Sequence, residues 1–326
     1  MEQLIQLKWM YYQSFRILMK TYLTVAILMS FSTLMAGNIM THWAWHSFPL
    51  PEGATMADVP ETGTIETGRL VGEMKQASAK PEVRSWMFQN PHGFNLGRLR
   101  LTDAAGKVIT VEQLANPTRT LDLWKGVQTA EYTFNEHPVK VQTTVHPDID
   151  QVAVRIESDL IGTGELAVEL EFPYPVGSVR NELQSPWYGK WDLDDRHRTQ
   201  VVRTPGRADI VRTLDQTEYS VSWKWSDPLS GFEEMPANHL FRLKGAKGTR
   251  LLEFVCAFGL KKPGELAGFE KTKTASVENW QKYWMSGGAI DLSESRAPRS
   301  AGRLRFSPFC RRSGQGDGPP YSRKDR

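Results

Sequence analysis

A short stretch near the middle of the chain concentrates side chains that could bind a cation or transfer protons. It runs from Trp191 to His197 and holds Asp192, Asp194, Asp195 and His197. Carboxylate oxygens are ligands for divalent cations, and a carboxylate beside an imidazole can serve as general acid or base. Arg196 and Arg198 lie among these residues. We therefore favour the alternative interpretation, a solvated loop whose charges pair with one another.

Aromatic and polar side chains are mixed in several runs, and this mixture is typical of carbohydrate recognition. A sugar ring has flat C–H faces and a fringe of hydroxyls, so its site needs aromatic platforms with polar side chains at the edge. Such runs occupy residues 41–49, 90–98, 121–126 and 172–175. An alternative is that these aromatic and His side chains pack together and satisfy one another. The candidate carbohydrate-binding residues are Trp43, Trp45, His46, Asn90, His92 and Trp124.

Common catalytic and nucleotide-binding motifs are absent from the sequence. It contains no Walker loop, GxGxxG, GxSxG or HExxH. Its 2 cysteines cannot build a disulfide framework, and no CxxC pair is present to hold zinc. Cys256 lies in an apolar stretch typical of a core strand, and Cys310 has no neighbour that would activate a thiolate. The sequence thus assigns no catalytic residue, no metal ligand and no cofactor.

The composition indicates a folded protein without a general affinity for nucleic acid. The chain has 326 residues, of which 40% are hydrophobic and 10% aromatic, enough for a sizeable core. Its net charge of +3 is unevenly distributed. Residues 295–326 carry a net +7 and the remainder a net −4. A mildly acidic body gives no electrostatic reason to expect nucleic acid as a partner.

Alternation of apolar and polar residues predicts an all-β fold. Turns at residues 135–138 and 147–150 separate three apolar-alternating runs, which predict three consecutive antiparallel strands. Residues 244–248 resemble a hairpin loop joining His239–Leu243 to Leu251–Phe258. With no alternating helices between strands, we predict one large antiparallel β-sandwich over residues 41–270. The predicted strands are 97–102, 107–111, 132–134, 139–145, 152–156, 166–172, 219–225, 239–243 and 251–258.

One amphipathic helix is predicted after the sandwich, near residues 274–285, in a linker of residues 271–294. Thr274 or Ser276 could cap its start, and Gly287-Gly288 would end it. Residues 295–326 are rich in Arg, Ser, Gly and Pro, and predict a disordered basic tail. The helix face expected to be buried comprises Val277, Trp280 and Trp284.

Residues 1–40 contain basic residues followed by an uncharged apolar run from Tyr22 to Ala36. Fifteen helical residues span roughly 22 Å, less than the hydrocarbon core of a bilayer. This pattern predicts a secretory signal and a secreted protein. Two alternatives stay open. One is an uncleaved anchor, the only case in which a membrane is a partner, and the other is an intracellular protein with a misassigned N-terminus.

Six ordered motifs within about residues 40–299 resemble a known family. They are Trp43–Pro49, Asn90–His92 with Leu96–Arg98, Leu121–Trp124, His146-Pro147, Phe172–Tyr174 and Trp280–Ser293. Together they resemble the N-terminal region of six-hairpin glycosidase-like proteins, relatives of the glycoside hydrolase family 65 group. In such proteins a β-supersandwich is joined by a helical linker to an (α/α)6 barrel. That barrel holds the general-acid Glu and most of the sugar-binding groove, so the resemblance implies carbohydrate as the partner.

The sequence departs from this family pattern after Arg299. Twelve barrel helices need well over roughly 200 residues, whereas 27 residues follow Arg299. We therefore expect this chain to be truncated before the barrel and to have no glycosidase or phosphorylase activity by itself. We expect the residues after Arg299 to be read from a shifted frame or a retained intron.

Three functions follow from these features. The first is the sandwich portion of a carbohydrate-active enzyme, and a large uncovered apolar face would favour it. The second is a non-catalytic sandwich that binds carbohydrate or a protein partner, which an exposed aromatic groove would favour. The third is a membrane-anchored structural protein, which would require an uncleaved helix at residues 21–41.

Overall fold

A computed structural model describes residues 37–288, apart from residues 40, 42, 60–79, 91, 177–188 and 236–238. Residues 1–36 of the predicted signal or anchor segment, Cys310 and the predicted basic tail lie outside the described residues. The last residues of that segment, Gly37–Ile39, are not a signal or an anchor helix but a strand that pairs with Gly97–Leu99 in the sandwich. None of the helices in the described part is long and apolar enough to span a membrane.

The described part is built mainly of strands. Its helices are α1 (Pro81–Gln89), α2 (Leu160–Thr163) and α3 (Phe269–Tyr283), and a π-helical turn at Trp284–Gly288 continues α3. Short 3-10 turns occupy Met56–Asp58, Val111–Gln113 and Asp194–Arg196. The strands are β1 (Gly37–Ile39), β2 (Trp45–His46), β3 (His92–Gly93), β4 (Gly97–Thr102), β5 (Ala115–Asp122), β6 (Val127–Phe134), β7 (His137–Val145), β8 (Gln151–Glu157), β9 (Ala167–Glu171), β10 (His197–Thr204), β11 (Arg207–Leu214), β12 (Thr217–Trp225), β13 (Gly231–Met235), β14 (Leu240–Lys244) and β15 (Leu251–Gly259).

Two large sheets and a small one account for these strands. The five-stranded sheet has the order β1-β4-β9-β14-β13, and the eight-stranded sheet has the order β10-β11-β12-β15-β8-β7-β6-β5. Strands β2 and β3 form a separate pair. Each pairing among the described strands is antiparallel. The predicted all-β antiparallel sandwich is therefore confirmed.

The run β6-β7-β8 is the meander that the alternation predicts. Tyr132 pairs with Val139 across the first turn, and Val145 pairs with Val152 across the second. Apolar residues of one parity are buried along most of β6 and β7, whereas the first four residues of β8 are buried on both faces. Because side chains alternate between the two faces of a strand, this pattern fixes which face of the meander enters the core.

The predicted hairpin across residues 244–248 is wrong. β14 pairs with β9 and β13 in the five-stranded sheet, whereas β15 pairs with β12 and β8 in the eight-stranded sheet. The loop between β14 and β15 therefore crosses from one sheet to the other. Both strands bury apolar side chains in the core between the two sheets. The predicted strand at residues 107–111 is reduced to one bridge, between Thr102 and Val108.

The main core lies between the two large sheets. It draws buried side chains from β4, β9 and β14 on one side and from β6, β8, β11, β12 and β15 on the other. Aromatic rings interleave across the gap. The Trp225 ring of β12 stacks on Phe232 of β13 at 5.2 Å, and Phe232 stacks on Phe241 of β14 at 5.9 Å. These contacts join β13, an edge strand of the five-stranded sheet, to β12 inside the eight-stranded sheet.

Helix α3 covers the outer face of the eight-stranded sheet. Phe269 packs there with Ala153, Val255 and Ala257 in a second, smaller cluster. The Gln151 side chain anchors the first turn, because its amide donates to Thr272 Oγ1 at 2.6 Å. The helix begins at Phe269 with Gly268 as its N-cap. The caps predicted at Thr274 and Ser276 are therefore wrong.

The end of α3 meets the turn between β5 and β6. Trp284 Nε1 donates to the carbonyl oxygen of Leu123 at 2.7 Å. The Trp280 ring lies so close to Gly126 that a β-carbon on that glycine would overlap the indole. The predicted apolar helix face is thus only half-buried, whereas Phe269, Thr272 and Ser276 are fully buried.

We expect Gly126→Ala to displace the Trp280 ring and loosen the end of α3. Gly126 has a φ of 64°, so alanine adds backbone strain as well as the overlap. Gly53→Ala is the matched control, because Gly53 has a φ of 72° and nothing within 4 Å of the added β-carbon. Urea unfolding should show Gly126→Ala losing about 1–3 kcal/mol more than Gly53→Ala. Equal losses for the two variants would contradict the docking of α3 on this turn.

Candidate functional site

The guanidinium of Arg212 is enclosed between the two sheets. Along β11 the inward positions are Ala208, Ile210, Arg212 and Leu214, so an arginine occupies a place otherwise taken by apolar residues. Its side chain has 0% exposure, and burial lowers the pKa of Arg212. Thr199 of β10 and Tyr219 of β12 are its partners in the sheet register. A buried cation needs hydrogen-bond acceptors, and two histidines supply them.

His197 and His239 bring the two sheets together at this guanidinium. His197 begins β10, and His239 precedes β14 with a positive φ of 49°. Their rings stack with centroids 3.8 Å apart. Arg212 donates to Nδ1 of His239 at 3.2 Å and to Nδ1 of His197. It also donates to the Arg198 carbonyl at 3.2 Å, while its Cζ lies 4.9 Å from the centre of the Phe172 ring.

These contacts fix the tautomers of both imidazoles. Because Nδ1 accepts from Arg212 in each ring, a neutral ring carries its proton on Nε2. Nε2 of His239 donates to the carbonyl oxygen of Asp194 at 2.8 Å. Nε2 of His197 is buried and has no hydrogen-bond partner in the part of the chain that the structure describes. Nε of Arg212 is likewise buried without a partner among the described residues, so the site contains two buried donors without an acceptor.

Burial and like charge keep both rings neutral. Burial, followed by Arg212 and His239, lowers the pKa of His197 to about 3. Burial is also the main cause that lowers the pKa of His239, and Arg212 adds to it. At neutral pH Arg212 is thus accompanied by two uncharged imidazoles.

Part of the acidic stretch predicted from the sequence contributes to this site. Oxygen and nitrogen atoms of Asp194, His197 and His239 lie within 4.8 Å of one another, a spacing that would suit a divalent cation. The contacts of Arg212 argue against a cation, since they direct protons onto Nε2 and add a positive charge beside the rings. Asp192 and Asp195 are exposed to solvent. The arrangement favours a ligand group that can accept a hydrogen bond.

A second cluster of polar side chains lies next to the cluster around Arg212, and it contains His46, a predicted site residue. Its Nε2 lies 3.2 Å from Asp215 Oδ2, and its Nδ1 lies 2.9 Å from Thr217 Oγ1. The hydroxyl of Tyr174 donates to the same Asp215 oxygen at 2.7 Å. Burial, together with Asp215, raises the pKa of Tyr174 to about 12. The Tyr174 ring lies 6.1 Å from the His197 ring, so the two groups adjoin.

Three other predicted site residues are engaged within the fold. Trp43 Nε1 donates to Asp150 Oδ2 at 2.6 Å. Asn90 accepts from the Phe48 amide at 2.6 Å and donates to the Trp86 carbonyl at 2.8 Å. His92 pairs with His46 through the β2–β3 backbone, and its side chain is outside the described atoms.

Trp45 and Trp124 are the predicted site residues with exposed rings, at 40% and 42% exposure. Trp124 lies in the β5–β6 turn, beside the aromatic end of α3. There the Trp284 ring packs against Tyr283 at 5.0 Å and stacks on Trp280 at 6.0 Å. We call the exposed part of this region the aromatic surface, defined by Leu121, Leu123, Trp124, Tyr283 and Met285.

All of these groups gather at one end of the eight-stranded sheet, which we call the turn end. The antiparallel order brings together the start of β10, the β11–β12 turn, the end of β15, the β7–β8 loop and the β5–β6 turn. His46 contacts the β11–β12 turn, and Trp43 contacts the β7–β8 loop. The β11–β12 and β5–β6 turns are five strand spacings apart, roughly 24 Å. The candidate residues thus form a row rather than one pocket.

Arg212 and His239 are site residues beyond those predicted from the sequence. The sequence does contain a signal for Arg212, because the apolar residues Ala208, Ile210 and Leu214 alternate on either side of it. An arginine among alternating apolar residues predicts a buried guanidinium that needs hydrogen-bond acceptors from the fold. His239 has no comparable signal, since its place beside Arg212 depends on how the two sheets face each other.

The fold should become less stable in acid because of these histidines. At pH values above about 6.5 His197 is neutral in both the folded and the unfolded chain. Between that pH and about 3 the unfolded chain takes up a proton that the folded chain does not. The free energy of unfolding should therefore fall as the pH drops through this window, by up to about 1.4 kcal/mol per pH unit for one histidine.

His197→Gln should flatten this acid dependence, because glutamine keeps an acceptor for Arg212 but does not titrate. His137→Gln, at an exposed position in β7, is the matched control and should follow the wild type. Urea unfolding at several pH values between 4 and 8 measures both. Parallel pH curves for wild type and His197→Gln would contradict a buried neutral His197.

Comparison with known proteins gives distant structural likenesses. No protein-family model matches the chain, and no curated protein sequence matches it. A putative kojibiose phosphorylase from the human microbiome is 12% identical, with a TM-score of 0.35, over 59% of this chain and 28% of that chain. A bacterial glucoamylase complexed with acarbose is 11% identical, with a TM-score of 0.38, over 60% of this chain and 33% of that chain. This chain therefore spans about a third or less of either enzyme to which it is similar.

Proposed function

We propose that this chain is the β-sandwich portion of a carbohydrate-active enzyme of the glycoside hydrolase or phosphorylase type, and that it binds carbohydrate without catalysing a reaction. The observation that carries the proposal is the convergence of the family-like motifs on the turn end. They are scattered over more than half of the sequence, yet their described residues lie in one row along this end, and some of them contact each other. Convergence of distant polar and aromatic residues is characteristic of a functional surface rather than of a core.

Specific contacts support this convergence. The run at residues 43–49 reaches the β11–β12 turn through His46, and the run at residues 172–174 reaches the same turn through Tyr174. The Leu121–Trp124 run meets the end of α3 through the hydrogen bond from Trp284 to Leu123, which joins residues 161 positions apart. Two motifs that carry the resemblance therefore contact each other directly.

The engagement of two turn-end carboxylates within the fold supports the non-catalytic part of the proposal. Glycoside hydrolysis needs two carboxyl groups facing each other across the scissile bond, roughly 5–10 Å apart. Of the carboxylates at the turn end, Asp215 already accepts from Tyr174 and pairs with His46, and Asp150 accepts from Trp43. The described residues also contain no helical barrel of the kind that holds the acid in the family.

The aromatic surface supports the second candidate function, a sandwich that contacts a protein partner. Leu123 is 58% exposed and Met285 is 76% exposed, beside the rings of Trp124 and Tyr283. A cluster of exposed large apolar side chains is typical of a contact surface. A flat indole suits a sugar ring, whereas leucine and methionine side chains suit apolar protein surface.

Carbohydrate binding is tested by isothermal titration calorimetry of the purified chain with maltose and maltodextrin. We expect binding, and we expect Trp124→Ala or Trp45→Ala to weaken it by about fivefold or more, as for truncation of a contacting aromatic residue. Leu229→Ala is the control, because Leu229 is 82% exposed in the β12–β13 connection. Failure of the wild type to bind, or equal effects of the Trp and Leu229 variants, would contradict the proposal.

Catalysis is tested on the same preparation with maltose, in the presence and absence of inorganic phosphate. We expect no glucose or glucose 1-phosphate to be released. Turnover that scales with chain concentration would overturn the non-catalytic part of the proposal while leaving carbohydrate binding intact.

A further inference from the structure

A hydrogen-bond donor without a partner and a carboxylate lie close together beside the stacked histidines. His197 is 8% exposed, and its Nε2 has no partner among the described residues. A ring nitrogen of His197 and a carboxylate oxygen of Asp194 lie within 4.8 Å of each other. Because Nδ1 of His197 accepts from Arg212, Nε2 is the nitrogen left to donate. The carboxylate of Asp194 can only accept.

A spacing within 4.8 Å allows one oxygen atom to bridge the imidazole and the carboxylate. Two hydrogen bonds of about 2.8 Å that meet at a hydroxyl oxygen with a tetrahedral angle span about 4.6 Å between their outer atoms. A hydroxyl is also the group whose chemistry fits both sides, because it accepts from an N–H and donates to a carboxylate. A cation would be repelled by the proton on Nε2, and an anion would be repelled by the negative charge of Asp194.

We infer that Asp194 and His197 bind one hydroxyl group of a sugar. This inference rests on the proposed function for its ligand class, but it concerns residues that none of the six family-like motifs contains. The surroundings suit a sugar ring next to that hydroxyl. Tyr174 lies 6.1 Å from His197 between ring centroids, and the Arg196 guanidinium lies 5.4 Å from the Tyr174 ring. Asp195 and Arg196 form an exposed polar rim.

Arg212 has the role of a positioning residue in this site. It holds the proton of His197 on Nε2, and its charge adds to burial in lowering the pKa of that ring, so the ring stays neutral. The buried donor is therefore available over the whole neutral range of pH. Asp194 is tied to the same group, because its carbonyl oxygen accepts from His239.

The test uses the whole chain, maltose as the ligand, and two adjacent aspartates. Asp194→Ala should raise the dissociation constant for maltose at least tenfold in calorimetry. Asp195→Ala, the matched control on the exposed rim, should stay within twofold of the wild type. In nitrogen-15 spectra, saturating maltose should shift the His197 Nε2 signal and leave that of exposed His137 unchanged. His197→Gln, whose fold is checked by circular dichroism, should weaken binding as well.

Several results would overturn the inference. Unchanged maltose affinity in Asp194→Ala would do so, as would a His197 signal that saturating maltose does not move. Stoichiometric binding of zinc that shifts both His197 and His239 would replace the hydroxyl with a cation. If Trp124→Ala weakens binding and Asp194→Ala does not, the proposed function stands and this inference alone fails. If the wild type binds no maltose, both fail.

Discussion

A positive charge held between two β-sheets organises the turn end of this molecule. Removing a guanidinium from water costs several kcal/mol unless hydrogen bonds replace the lost hydration. For Arg212 these bonds go to Thr199, His197 and the Arg198 carbonyl from β10, and to His239 from the opposite sheet. The acceptors must therefore stay in place for the charge to be tolerated. The same bonds set the tautomers of two histidines and leave one donor of His197 without a partner in the described chain.

The eight-stranded sheet provides the frame on which the functional residues are arranged. Its inner face forms the main core with the five-stranded sheet, and its outer face carries α3. Helix α3 covers only the central strands of the outer face, and the edge strands β5 and β10 are largely exposed. At the turn end, the small β2–β3 pair brings His46 to the β11–β12 turn, while α3 delivers Trp280 and Trp284 to the β5–β6 turn. A row of polar and aromatic groups results.

Local patterns in the sequence predict strands well and their partners poorly. The alternation from Tyr132 to Ile156 identifies the β6-β7-β8 meander, because a short turn makes each strand pair with the next one along the chain. The same alternation suggested a hairpin at residues 244–248, where the strands belong to different sheets. The α3 cap was misplaced because Gly268 provides no side-chain signal, whereas Thr274 and Ser276 do. The candidate site was predictable only in part, since Asp194 and His197 are close in sequence but Arg212 and His239 reach them through sheet packing.

The protonation state of His197 is the property on which the account of the turn end most depends. A long-range proton–nitrogen correlation spectrum at pH 7 reports directly which ring nitrogen carries the proton. We expect neutral rings for His197 and His239, with the proton on Nε2 and an unprotonated Nδ1 facing Arg212. A positively charged His197 ring, or a neutral ring with its proton on Nδ1, would contradict this expectation.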